Sequence, residues 1–133
     1  ERVPVVLHRA VTGSTERFLA VLIENFAGAF PVWLAPVQAV IIPITDRHVP
    51  HCQELQLRLQ ETGLRSDVDS TSERMTAKIR KSQLQKVPYM LVVGDKEIEA
   101  DNVSVRLRSG EDLKAMPVSE FIKLTRKAID TGE

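Results

Sequence analysis

A chain of 133 residues has room for one hydrophobic core of ordinary size, so it holds a single α/β-sized domain and at most an appendage. Its 43% hydrophobic and 27% charged residues exclude a disordered chain. No apolar run approaches the roughly 18 residues that cross a membrane, and a cytoplasmic protein without membrane contact is expected. Lys plus Arg and Asp plus Glu both number 18, which excludes long-range attraction of nucleic acid by the whole chain and requires any RNA contact to be local.

In chain order, residues 3–8 (VPVVLH) read as a buried strand. Ser14 can cap a helix over 15–27, with Glu16 favourable in its first turn. Phe18, Leu19, Ala20, Val21, Leu22, Ile23 and Phe26 leave that helix only a narrow polar edge, and a helix this apolar must be buried on nearly all sides. So little chain is left to surround it that its neighbours are expected in a longer protein, as a start at Glu1 rather than Met also hints. A glycine and two prolines in 28–36 break both periodicities and set the expected boundary, with 1–32 as the appendage and 33–133 as the domain.

Within that domain, residues 38–44 (QAVIIPI) predict a short strand, and Val49, Cys52, Leu55 and Leu59 predict a helix over 46–62 that Gly63 ends. A second strand is expected over 65–69. Ser72 and Glu73 can open a further helix carrying Met75, Ile79 and Leu84, which stops before Pro88. Residues 88–93 (PYMLVV) are the most strand-like of all, closed by Gly94-Asp95, and 102–108 (NVSVRLR) alternate as a half-exposed strand. A final helix over 118–129 places Val118, Phe121, Ile122, Thr125 and Ile129 on one face. The order β-α-β-α-β-β-α predicts a mostly parallel sheet covered by helices.

The chemistry is sparse. No glycine-rich phosphate loop is present, which speaks against a nucleotide-binding Rossmann or P-loop domain and leaves a small-molecule α/β domain as the weakest reading. Lone Cys52 has no cysteine partner and reads as a small core residue. His48 and His51 are either a pair of imidazoles on one face for a metal or solvated histidines on an exposed first turn.

Charge says more. Arg74, Lys78, Arg80, Lys81 and Lys86 follow one another with no acidic residue between them, and Arg74, Lys78 and Lys81 share one helical stripe. Beside Arg106 and Arg108 this is either a phosphate-contacting surface or a solvated helix face. Glu97, Glu99 and Asp101 form a small acidic cluster. A carboxylate there can accept from the N1–H and amino group of guanine, although Gly94-Asp95-Lys96-Glu97 is equally well a polar hairpin loop.

Three stretches carry a resemblance. Residues 8–18 (HRAVTGSTERF) resemble the third signature motif of class II aminoacyl-tRNA synthetases in its threonyl form, and G-S-T-E-R-F separates them from the prolyl and histidyl types. Residues 33–38 (WLAPVQ) resemble the junction into the anticodon-binding domain of the threonyl-tRNA synthetase family, and 87–97 (VPYMLVVGDKE) its core strand and following turn. The resemblance implies an α/β fold, a mixed five-stranded sheet flanked by three helices, preceded by a strand-helix remnant of a catalytic domain. It implies a part of an ATP-dependent ligase that joins threonine to its tRNA through an aminoacyl-adenylate, here without most of the active site.

By the same resemblance, the domain reads the second and third anticodon letters, G and U, of a threonine tRNA. Glu97 matches the position that recognises guanine, Arg106 an arginine on the neighbouring strand that contacts the anticodon bases, and Arg80 and Lys86 basic contacts. Arg74 and Lys78 belong to the same basic surface. Lys86 and Ser72 depart from the commoner arginine and asparagine, which removes a bidentate contact and an amide. Arg17 matches the motif-three arginine that grips ATP, and His8 one of three protein ligands to a zinc that senses threonine. Both groups are expected in the full-length enzyme and neither on this piece. The full-length enzyme is expected to be a homodimer through its catalytic domain, and this piece a monomer with a sticky N-terminal helix. A non-catalytic synthetase-like RNA-binding protein on the same fold is the alternative, against which Arg17 and His8 argue.

Overall fold

A computed structural model describes residues 2–132. The first regular element is helix α1, Thr15–Phe26, capped by Ser14, whose hydroxyl accepts from the Arg17 N–H at 3.2 Å. The expected strand over 3–8 does not form. Val3, Val5, Val6 and Leu7 are all more than four-fifths exposed, because no described segment lies beside them to complete a ladder. Nor is α1 buried within the described residues: Phe18, Leu19, Val21 and Ile23 are each about half exposed. Its end alone is tied down, by the edge of the Phe26 ring against Phe30.

From Val32 onward the chain packs. The elements are β1 (Ala39–Pro43), α2 (Val49–Glu61), β2 (Ser66–Val68), α3 (Met75–Leu84), β3 (Tyr89–Val93), α4 (Asp95–Glu99), β4 (Asn102–Leu107), β5 (Asp112–Pro117) and α5 (Val118–Thr131). They form a five-stranded sheet in the order β2-β1-β3-β4-β5. β2, β1 and β3 run parallel, and β4 and β5 add antiparallel beyond β3. The mixed five-stranded sheet implied by the family resemblance is therefore present, with α2, α3 and α5 as its principal helices.

The order read from periodicity lacks two elements. β5 carries only Leu113 and Met116 toward the core, has Lys114 at φ 66° and ends in Pro117, so this edge strand has almost no alternating signal. α4 replaces the expected loop after Gly94 and is too short to show a period. The helix expected from Asp46 opens as a 3-10 turn, Asp46–His48, because Pro50 marks the first turn of α2.

β1 and β3 are buried at every position, as central strands covered on both faces must be. On one face Ile41, Leu91, Val93, Val103 and Val105 pack beneath Cys52, Leu55 and Leu59 of α2 and Phe121 of α5. Phe121 sets the edge of its ring against Tyr89 at 5.4 Å. On the other face Val40, Ile42, Met90 and Val92 pack beneath Ile79 and Met75 of α3. Burial also raises the Cys52 thiol to about 11, in keeping with an inert core cysteine. The segment before β1 is stitched to the sheet: Gln38 donates to Val32 O at 2.9 Å and accepts from the Arg65 N–H, while the Arg65 guanidinium donates to Trp33 O and Ala35 O. No helix of the described residues is long and apolar enough to cross a membrane.

Candidate nucleic-acid interface

α3 lies over β1, and farther across the same face of the sheet Asn102, Ser104 and Arg106 of β4 remain partly exposed. Alternation along β4 sends Val103 and Val105 into the opposite core and these three polar side chains to the open side. Glu97 joins them from α4. One of its carboxylate oxygens accepts from the Gly94 N–H at 3.0 Å, and the other from the Ser104 hydroxyl at 2.9 Å. A carboxylate has about four acceptor sites, so two bonds leave Glu97 able to accept two more. A Cβ at Gly94 would stand 2.6 Å from Ile44 Cδ1 and 3.2 Å from Glu97 Oε2, so a larger residue there would displace the ends of both side chains.

Arg106 follows two residues after Ser104 on the same face, opposite Met90 of β3. A register shift at Val105/Arg106 sets Asp112 of β5 against it, and the carboxylate lies 3.3 Å from the guanidinium. The open side thus carries an acceptor pair at Glu97 and a partly exposed donor fork at Arg106. That is the chemistry needed to meet the edges of two different bases.

The basic stripe is not the uniform surface that the spacing suggests. Arg74 and Arg80 are exposed, but Lys78 is buried and donates from Nζ to Asp69 O at 3.1 Å. Lys81 faces the Asp69 carboxylate at 3.8 Å. Asp69 also accepts from the N–H and hydroxyl of Thr71, so a turn occupies the stretch where Ser72 was expected to open the helix; α3 starts at Met75, with Arg74 at its N-cap position making no side-chain cap, and Ser72 is exposed before it. Burial pushes the Asp69 carboxyl up, yet the Thr71 bonds and the nearby lysines outweigh it and hold the group below the ordinary carboxylate value. Lys86, with φ 59° just past α3, donates to Ala27 O, and Arg108 donates to Phe30 O at 2.6 Å. These two cations face the linker.

The histidines correct another expectation. His48 is buried rather than solvated, and with Nδ1 accepting from the Thr45 N–H its Nε2–H donates to Asp95 at 3.1 Å. That bond, with Arg47 adding to it, holds the Asp95 carboxyl below its ordinary range. Asp95 opens α4, so this contact anchors the short helix that carries Glu97. Among the described residues no group of three or more His, Cys, Asp or Glu could hold a metal. His8 and Arg17 are both exposed, on the irregular N-terminal segment and on α1. By themselves they fit neither zinc, which needs further ligands, nor a triphosphate, which needs an enclosing site.

Ser104 and Asp112 do not stand out in the sequence, and Gly94 reads there only as a turn residue. The alternation of NVSVRL already places Ser104 beside Arg106; the bulge that brings Asp112 there leaves no such trace.

This open, polar half-face on a mixed sheet belongs to a known class. Residues 38–128 match the anticodon binding domain family, and the chain belongs to it. Its curated relatives bear out the threonyl resemblance. A threonine–tRNA ligase of Alkalilimnicola ehrlichii is 54% identical over 92% of this chain, and one of Streptomyces griseus is 52% identical over 96%. The chain spans 19% of the length of each. Among solved structures, the RNA binding domain of threonyl-tRNA synthetase from Cryptosporidium parvum superposes with a TM-score of 0.81 at 30% identity, covering 87% of this chain and 29% of that one. A prolyl-tRNA synthetase of the same organism, complexed with halofuginone and AMPPNP, gives 0.66 at 28%, covering 76% and 22%.

Proposed function

We propose that this chain is the anticodon-reading part of a threonine–tRNA ligase, and that the open face of β4 and α4 binds the anticodon loop of a threonine tRNA. The observation that carries this reading is the Glu97 carboxylate, held by Gly94 and Ser104 with acceptor capacity to spare at the edge of an open sheet. Guanine offers two adjacent donors, N1–H and its amino group, that match such an acceptor. Arg106 donates to a neighbouring base, while Arg80 and Arg74 contact phosphate. Lys86 is placed to do so only by leaving Ala27 O, and Ser72 offers an exposed hydroxyl. Lys78 supports the turn at Asp69 instead of meeting RNA.

In the longer protein, residues 1–32 form the end of a class II catalytic domain and cover the apolar faces of α1 with their neighbours. His8 would there supply one zinc ligand and Arg17 one contact to ATP. The whole is a cytoplasmic homodimer that joins threonine to tRNA with ATP.

The test is binding to a threonine tRNA anticodon stem-loop at moderate salt, against a version with its second anticodon letter changed. The change should weaken binding about tenfold or more, and Glu97→Ala should abolish the difference. Equal binding of both stem-loops to the folded chain would remove the reading.

A further inference from the structure

The reading of guanine depends on where the Glu97 carboxylate plane points, and one bond does not settle that. Rotation about the last side-chain torsion of a glutamate is broad. The Gly94 N–H holds Oε2, while the plane could still swing about that contact. A second bond, from the Ser104 hydroxyl to Oε1 at 2.9 Å, comes from a different element, the middle of β4. Two donors on opposite oxygens, one from the turn before α4 and one from the sheet, fix the plane.

We propose that Ser104 is a positioning residue for base recognition, orienting the Glu97 carboxylate so that its free acceptor sites meet both donors of guanine together. This rests on the reading of Glu97 as the guanine acceptor. The surroundings of Ser104 favour the role. Its register neighbours are Val92 on β3 and Ala115 on β5, whose side chains offer the hydroxyl no competing acceptor. Ser104 is partly exposed, so its removal leaves no buried polar atom stranded; water can replace its hydroxyl at Glu97 Oε1 without restoring direction. Stability and selectivity should therefore separate.

Inosine in place of the guanine removes the amino group alone and serves as the probe. The wild-type chain should prefer the guanine stem-loop over the inosine one about tenfold. Ser104→Ala should lower that preference severalfold with its melting temperature unchanged. Ser104→Thr, which keeps a hydroxyl on a strand position suited to a β-branched residue, should restore it. Glu97→Gln should lose the preference outright. A full preference in Ser104→Ala beside its loss in Glu97→Gln would overturn the positioning role alone, whereas a full preference in Glu97→Gln would overturn the reading beneath it.

Discussion

The two faces of the sheet are built to different ends. Beneath α2 and α5 the face is apolar from β1 across to β4, closed by Phe121 and Leu59, neither of which is exposed. On the other face α3 covers Val40, Ile42 and Met90, and the cover gives way to Ser104, Arg106 and Glu97. Burial of apolar surface dominates stability, so the first face holds the domain together. The second face leaves polar groups partly exposed and holds them with partners. The contrast teaches that the open half-face is built from side chains already held by the protein, Glu97 by Gly94 and Ser104 and Arg106 by Asp112, which is the preorganisation that the proposed anticodon contact requires.

The largest expected effect lies on the closed face. Phe121→Ala should lower unfolding stability by about 3–5 kcal/mol in a urea titration, the usual cost of deleting a fully buried aromatic ring. It should leave the guanine preference of the remaining folded molecules intact. A lost preference would show that the faces are not independent. A smaller effect separates the cations of α3. Arg80→Ala should reduce the salt dependence of stem-loop binding by about one phosphate contact, and Lys81→Ala by less, because Lys81 already faces Asp69. Equal slopes for the two variants would restore the undivided stripe.

The smallest effect is a pH dependence. The Asp69 carboxyl lies below its ordinary 3.8 in the folded chain, so the folded state binds that proton less readily than the unfolded one. Its contribution is full above that ordinary value and is lost as pH falls through the folded one. Asp69→Asn should remove this part of the acid limb, a change under about 1 kcal/mol given the exposed Lys81 partner. Chemical denaturation from pH 6 down to 3 would detect it, and an unaltered acid limb would contradict the role given to Asp69.

Much of this was legible in the sequence where one physical signal dominated. The apolar runs of β1 and β3 announced strands, and the 3.6-residue spacing of Val118, Phe121 and Thr125 announced α5. The run at 3–8 looked the same, yet a strand exists only with a partner, and a local pattern cannot tell whether one is present. β5 failed in the opposite way, having a partner and almost no pattern.

In the proposed site, Glu97 and Arg106 are legible by resemblance, and the period-two alternation of β4 puts Ser104 on the face of Arg106. The burial of Lys78 was not readable: its partner is the backbone carbonyl of Asp69, nine residues back across a turn. The His48 contact is equally hidden, since its hydrogen-bond partner Asp95 lies 47 residues away.

The division between the faces is tested most directly by following every backbone amide of the 15N-labelled chain while a threonine tRNA anticodon stem-loop is added. Shifts confined to α4, β4 and the exposed side of α3, strongest at Glu97, Ser104, Arg106 and Arg80, are the result this account predicts. Shifts centred on α2 and α5, around Arg58, Ile122 and Arg126, would place the RNA on the closed face and contradict it.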